Sequence, residues 1–249
     1  MITYSKLGQM GRFGNQLFQI AATIALAHNN NDEAVFPYWE YNYLFKKQLS
    51  CISDFSWVKS VYKEPQFEYA SIPYLSDMDL RDSYLQSEKY FAGCSNLIRD
   101  QFDFLDNSVS DEKLGIAKDA CSIHIRRTDY LKFPEYHPFP GMPYYLSAIT
   151  DMERYGIRKF LIFSDDIQWC MSTFGSHEKF VYIQNQTNVQ DMCLMSKCHS
   201  NIIANSSFSW WGAWLNKNEN RRIIAPAKWF GPANNATPKD LYCDGWTVK

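Results

Sequence analysis

The chain is 249 residues long, enough for one large domain or two modest ones. Its 46% hydrophobic and 21% charged composition excludes a disordered chain. Its 25 basic against 27 acidic side chains, a formal net charge of -2, speak against a broad basic surface for nucleic acid.

Ile2 to Tyr4 predicts a first short strand, and the glycine-spaced loop Gly8, Gly11, Gly14 follows it. A helical pattern then runs from Asn15 to His28, with Leu17, Ile20, Ala21 and Ile24 on one face. Within it, the apolar run from Leu17 to Ala27 is about half the length of a membrane span, so no integral membrane segment is expected. The opening residues Met1 to Lys6 carry neither a charged leader nor an apolar signal region. Residues 36–74, rich in aromatics and prolines, predict irregular structure with short helices, and Tyr84 to Phe91 predicts a strand. The polar segment Asp106 to Asp119 reads as a linker, giving two domains, 1–115 and 116–249.

Beyond it the pattern is regular. Strands are expected at 121–125, 160–163, 180–183, 201–204 and 222–225, with helices at 143–155, 166–174, 188–197 and 207–215 between them. Such alternation predicts an α/β fold with a parallel, doubly wound, Rossmann-like sheet in the C-terminal lobe. Ligands of such sheets bind beyond the carboxyl ends of the strands, where the winding reverses.

Three polar clusters follow the strands: His124 to Asp129, Ser164 to Asp166, and Asn205 to Trp211. Alternation along a strand places His124 and Arg126 on one side, so Arg126 rather than Arg127 is the cleft candidate. Its fork suits a phosphate, while pairing of both arginines with Asp129 and neighbouring carboxylates is the structural alternative. Ser206, Ser207 and Ser209 at a helix start form a phosphate cradle or, more plainly, an N-cap. The loop Gly11-Arg12-Phe13-Gly14-Asn15 lacks the G-x-G-x-x-G spacing, which disfavours a Rossmann dehydrogenase. Its glycines allow close backbone approach to a ligand, with Arg12 and Asn15 reaching toward a donor, or they simply form a turn.

The pair Asp77 and Asp79 has a chelating spacing but reads as a solvated turn, and Cys193, Cys198 and His199 lack a second ligand pair for zinc. No metal or other cofactor is expected. Seven cysteines, an odd number, fit reduced thiols in a cytoplasmic protein. The 8 Trp, 16 Tyr and 17 Phe fit an aromatic core or faces that stack on sugar rings.

Four segments taken together, Gly11 to Gln16, Gln86 to Phe91, His124 to Tyr130 and Asn205 to Trp214, resemble the alpha-1,2-fucosyltransferases of glycosyltransferase family eleven, in family order. Thr128 departs from the glycine found in many members. The resemblance implies a two-lobed GT-B fold, with a first lobe on the acceptor side and a second that binds the donor, GDP-fucose. It implies inverting, metal-independent transfer to the 2-hydroxyl of a terminal galactose on an oligosaccharide acceptor. It assigns the arginine segment to the donor phosphates, and the residues expected at the donor are Gly11, Arg12, Gly14, His124, Arg126, Asp165, Asn205, Ser206, Ser207 and Phe208. Within that set Arg126 stabilises the leaving diphosphate with Arg12 as a second cation. His124 bonds ribose, base or phosphate, unless it is a core residue. Asp165 accepts from guanine or ribose, and Phe208 stacks on the base. Asn15 holds the fucose or the leaving oxygen. For the general base the candidates are Asp129, preferred, Glu135 and Glu88, the last on the acceptor side. A cytoplasmic enzyme is expected, with peripheral membrane association left open. The rival expectations are a fucosyltransferase of another linkage and a non-catalytic sugar- or nucleotide-binding protein.

Overall fold

The computed structural model describes residues 1–249. It divides into two compact units, one made of Met1–Leu105 with Ala236–Cys243, the other of Asp106–Asn235 with Asp244–Lys249. The division therefore falls before residue 115, and the chain returns once to the first unit. The reason lies in the polar segment expected to be a linker: Asp111–Ala117 is a helix, and Lys113 in it hydrogen-bonds Gln186 of the second unit. The returning segment is held by Thr237, whose backbone N–H donates to Glu68 at 2.9 Å, and by Asp240, which accepts from the backbone of Tyr69 at 3.0 Å.

The first unit contains β1 (Ile2–Thr3), α1 (Phe13–Asn29), β2 (Ala34–Val35), β3 (Ser60–Val61), β4 (Met78–Asp79) and α2 (Ser95–Gln101). Its four strands pair in parallel in the order β2-β1-β4-β3, with Ile2 opposite both Ala34 and Met78. Leu17, Phe18, Ile20 and Ala21 bury the apolar face of α1. Phe13 stacks on Trp39, whose ring stacks in turn on Phe45, and Trp39 Nε1 donates to Gln16 Oε1 at 2.7 Å. Phe102 and Phe104 complete this cluster, so much of the aromatic excess here is core.

Two expectations fail in this unit. Tyr84 to Phe91 is not a strand: Leu85 has φ +54°, and Ser87 caps a 3-10 turn over Glu88–Tyr90. The pair Asp77 and Asp79 is not a solvated turn either. Asp79 lies buried in β4 and accepts from the backbone of Ser5 at 3.0 Å, from the Ser5 hydroxyl and from the backbone of Arg81. Asp77 pairs with Lys59 at 2.6 Å.

The second unit contains α3 (Asp111–Ala117), β5 (Ala120–Ile125), α4 (Met142–Arg154), β6 (Lys159–Ser164), α5 (Ile167–Phe174) and β7 (Phe180–Tyr182). It continues with α6 (Asn188–Lys197), β8 (Ser200–Ile202), α7 (Ser207–Trp214), β9 (Ile223–Ala225) and β10 (Thr247–Val248). All six strands are parallel, in the order β10-β9-β8-β5-β6-β7. Successive strands from β5 build one way through β6 to β7, and the chain then crosses back to place β8 on the other side of β5. The order reverses between β5 and β8.

Every residue of β5 is buried, and Tyr144, Tyr145, Ala148 and Met152 of α4 pack into the same core. Gly141, with φ +88°, precedes α4, and Thr187 with Gln190 forms a capping box on α6. Trp210, Trp211 and Trp214 bury against one another along α7, with ring centroids 5.0 to 6.1 Å apart, so they fill the core rather than offering faces to a sugar. No helix in either unit is long and apolar enough to cross a membrane.

Candidate active site

The carboxyl ends of β5 and β8 flank the point where strand order reverses, which is where a parallel sheet leaves an open crevice for a ligand. His124 comes from β5, Arg126 and Asp129 from the segment that follows it, Asp165 from just past β6, Asn205 and Ser206 from the turn after β8, and Phe208 from the first turn of α7.

Arg126 is the hub. Its Nε lies 2.8 Å from Asp129 Oδ1, its Nη2 2.8 Å from Asp129 Oδ2, and its Nη1 3.2 Å from Asp165 Oδ2. Its side chain keeps 21% exposure. Burial works against its charge, but Asp129 and Asp165 more than offset this and hold its pKa above the ordinary arginine value. Arg127 turns away to pair with Asp166 at 3.0 Å and lies over the Trp169 ring at 4.1 Å, a structural role. The structural alternative is thus observed, each guanidinium being paired with carboxylate, and Arg126 is the one at the strand-order reversal.

Asp165 is occupied by protein. It accepts from the backbone N–H of Arg127 at 2.9 Å and of Thr128 at 3.2 Å, and from the Thr128 hydroxyl. The residue expected to read guanine or ribose therefore clamps the loop that carries Arg126. Thr128, the departure from the family glycine, adds one donor to that clamp. Asp129 has both oxygens on one guanidinium, which suits a residue that aims Arg126 better than a general base.

His124 is 5% exposed and its ring lies 5.3 Å from that of Phe208. Its Nδ1 is buried with no hydrogen-bond partner in the protein. Burial, with Arg126 nearby, pulls its pKa down to about 3, so the imidazole is neutral at ordinary pH. A buried polar atom left unmatched at a strand-end crevice is a feature a ligand can satisfy.

The turn after β8 behaves differently from a cradle of three hydroxyls. Ser206 caps α7 by accepting from the Phe208 backbone at 3.3 Å, and Ser207 begins the helix. The Ser209 hydroxyl turns inward to the carbonyls of Ala204 and Ser206, both at 3.4 Å. Asn205, expected at the donor, is buried and its Nδ2 donates to the carbonyls of Pro138 and Trp229, each at 2.9 Å. It ties two loops together. Tyr130, missed from the sequence, donates from its hydroxyl to the Asn205 carbonyl at 2.6 Å and so joins the arginine segment to the serine turn. Its place in the arginine segment was the only signal. Gly231 supports the loop that follows: a Cβ there would lie 2.2 Å from the carbonyl oxygen of Glu135.

In the first unit, Gly11 has φ +75°, and a Cβ on it would sit 2.5 Å from Asn15 Nδ2, so both conformation and space demand glycine. Arg12 is exposed at the start of α1, and Gly14 is buried in its first turn. Asn15 Oδ1 accepts from Gln86 Nε2 at 2.9 Å, joining two of the segments that resemble the family. Glu88 is partly exposed in the 3-10 turn capped by Ser87.

The family whose sequence pattern matches this chain is described as Glycosyl transferase family 11, and the match covers residues 4–249. The O-antigen biosynthesis glycosyltransferase WbnK of Escherichia coli is 42% identical over 50% of this chain and 43% of its own length. An alpha-1,2-colitosyltransferase of Escherichia coli is 29% identical over 88% of this chain and 90% of its own. The human galactoside alpha-(1,2)-fucosyltransferase 1 is 27% identical over 82% of this chain and 63% of its own. The matched stretch thus spans less than two thirds of two of these three relatives. In three dimensions, POFUT1 in complex with GDP superposes with a TM-score of 0.59 at 12% identity, covering 90% of this chain and 97% of that one. NodZ alpha-1,6-fucosyltransferase soaked with GDP-fucose gives 0.52 at 12% identity, covering 86% and 92%. At such identities the likeness is one of fold, and it is GT-B-like. The arrangement of motifs, the strand-order reversal at Arg126 and the whole-chain match agree: this chain is a glycosyltransferase and belongs to glycosyl transferase family 11.

Proposed function

We propose that the chain transfers L-fucose from GDP-fucose to the 2-hydroxyl of a terminal β-galactose, with inversion at the anomeric carbon and without a metal. The observation that carries this reading is Arg126, a partly exposed guanidinium held in plane by two carboxylates where the strand order reverses. In the reaction the galactose oxygen forms a bond to the anomeric carbon while the bond from that carbon to the diphosphate oxygen breaks. Negative charge grows on the leaving GDP, and a pre-aligned guanidinium stabilises it more in the transition state than in the ground state. Backbone N–H groups at the start of α7 add to this, as the positive end of a helix does. His124 offers its unmatched Nδ1 to a donor group of the nucleotide, and Phe208 stacks on the base. Asn15 holds the fucose or the leaving oxygen, and Arg12 supplies a second cation.

With Asp129 engaged by Arg126, the galactose proton goes to another acceptor, and Glu88 and Glu135 remain the candidates. An odd set of seven cysteines outside any disulfide, six of them buried, supports a reducing compartment, and we infer the cytoplasm. Incubation with GDP-fucose and a panel of β-galactosides, with release of GDP and the product linkage read by NMR, tests the reading. No GDP release, a linkage other than α-1,2, or activity that chelators abolish and manganese restores would each overturn its corresponding part.

A second donor is favoured by one specific observation, the similarity to an alpha-1,2-colitosyltransferase over nearly the full length of both proteins. Colitose is fucose without its 3-hydroxyl, so the same diphosphate machinery serves either sugar. Competition between GDP-fucose and GDP-colitose for one enzyme preparation separates them.

A further inference from the structure

Leu85 is fully buried and sits at φ +54°, and Asp82 three residues earlier sits at φ +64°. A bulky aliphatic side chain in the left-handed region is strained, and such strain persists only where its surroundings enforce it. Glu64 is the enforcing residue. Its Oε2 accepts from the backbone N–H groups of Tyr84 at 3.0 Å and Leu85 at 3.2 Å, and its Oε1 from the Tyr90 hydroxyl at 3.3 Å. Its own N–H donates to Ser83 Oγ at 2.8 Å. The Ser83 backbone is gripped from the other side by the Tyr4 hydroxyl, which donates to its carbonyl at 2.7 Å and accepts from its N–H at 3.3 Å.

The strained turn delivers the next residue to a defined place. Gln86, nearly buried, donates from Nε2 to Asn15 Oδ1 at 2.9 Å, and the other side of Asn15 is packed against Gly11. A continuous path therefore runs from Glu64 through the Leu85 turn and Gln86 to Asn15. The amide of Asn15 has little freedom to rotate while Gln86 is held. A half-buried carboxylate is an expensive way to fasten a loop, since burial pushes the Glu64 pKa up. The expense is understandable where the loop fixes a side chain whose orientation matters to the reaction.

We propose that Glu64 is a positioning residue for glycosyl transfer, locking the strained Leu85 turn so that Gln86 holds Asn15 in one orientation. This rests on the fucosyl-transfer reading in taking Asn15 as the residue at the sugar. Both backbone donors use a single oxygen of Glu64, so Glu64→Gln can keep them while turning its amide toward the Tyr90 hydroxyl. Glu64→Ala cannot.

Amide hydrogen exchange over residues 82–91 and steady-state kinetics test the proposal on the full chain. The Ala variant should exchange faster in that segment and lose kcat by about tenfold, a fold-change of the size expected for a loosened orienting contact, with KM for GDP-fucose little changed. The Gln variant should restore both. Gln86→Leu should lower kcat similarly, and the Ala and Leu changes combined should cost no more than the larger alone, because they break one path. Should Glu64→Ala not fold, Glu64→Asp, which draws the oxygen back by one methylene, takes its place in the same cycle. Unchanged exchange and kcat in a folded variant, or losses that multiply in the double variant, overturn the role of Glu64. A wild-type chain that does not consume GDP-fucose overturns the fucosyl reading instead, and the exchange measurement still decides whether Glu64 holds the turn.

Discussion

Arg126 grips Asp129 with two nitrogens, Nε on Oδ1 and Nη2 on Oδ2, each at 2.8 Å, while its Nη1 rests 3.2 Å from Asp165. Two carboxylates on one guanidinium fix its plane before any substrate arrives. An arginine has five N–H donors, so the fork retains donors for a diphosphate beyond those the carboxylates take. Arg126→Ala should lower turnover of GDP-fucose by about a hundredfold or more, the loss expected on deleting one pre-aligned transition-state donor. Arg126→Lys should recover little of it, since a point-charge ammonium cannot hold both carboxylates and a phosphate at once. Steady-state GDP release from variants that melt cooperatively is the measurement, and near-normal rates would remove Arg126 from the mechanism.

The sequence favours Asp129 as the base, and the geometry, with both its oxygens on the Arg126 guanidinium, argues for orientation instead. Asp129→Asn keeps one oxygen for the guanidinium but loses the charge. It should reduce kcat by about tenfold while leaving the acidic limb of the pH-rate profile where it is, because the residue that takes the proton is untouched. Disappearance of that limb in the Asn variant would return Asp129 to the role of base. Glu88→Gln and Glu135→Gln, assayed alongside, should include the variant in which the limb does vanish.

The second unit was legible because its strands are long enough to show as apolar runs and its helices as periodic ones: 121–125 and 160–163 fall inside β5 and β6. The first unit was not. Its strands are two residues each, too short to carry any period, and β4 is disguised by the buried Asp79, whose charge reads as surface until Ser5 and Arg81 are seen to bond it. Tyr84 to Phe91 reads as a strand only while Leu85 is presumed extended. At the site, the spacing of His124 and Arg126 at a strand end was sufficient to find the hub. The partners of Asp165 and Asn205 were beyond reach, since they lie on other strand-end loops that only the folded sheet brings near. The same holds for Trp210, Trp211 and Trp214, for which composition permits either a core or a sugar-stacking face.

His124 gives a pH signature of the second unit's core. Burial and the nearby Arg126 lower its folded pKa to about 3, against about 6.5 for an unfolded chain. Between those values the unfolded state binds a proton that the folded state does not, so stability is fully present above the unfolded value and is lost as pH falls toward 3. The slope contributed is roughly 1.4 kcal/mol per pH unit. Urea midpoints taken from pH 7 downward should fall more steeply for the wild type than for His124→Gln. Parallel curves would mean that the imidazole takes up its proton in the fold as readily as in the unfolded chain.

Asp191 offers the opposite sign, away from the candidate site. It lies on α6, where its Oδ1 accepts from Gln186 Nε2 at 3.0 Å, and the Gln186 side-chain oxygen in turn accepts from Lys113. Burial lifts its pKa to about 6, above the 3.8 of a free aspartate. Between these values the folded state retains a proton that the unfolded state has given up. Its contribution to stability is therefore favourable at low pH, declines as pH rises from the unfolded value, and is fully lost above 6. A carboxamide at this position would present the same acceptor to Gln186 with no charge to bury. Asp191→Asn should accordingly stabilise the protein by roughly 1 to 2 kcal/mol at pH 8, a figure discounted for partial solvent screening. The gain should shrink as pH is lowered toward 4, where the wild-type carboxyl is already neutral. Denaturant midpoints of both proteins at several pH values decide it: a gap that does not depend on pH would mean that the carboxyl titrates in the fold as it does in the unfolded chain, and a destabilised Asn variant at pH 8 would show that the carboxylate is needed charged.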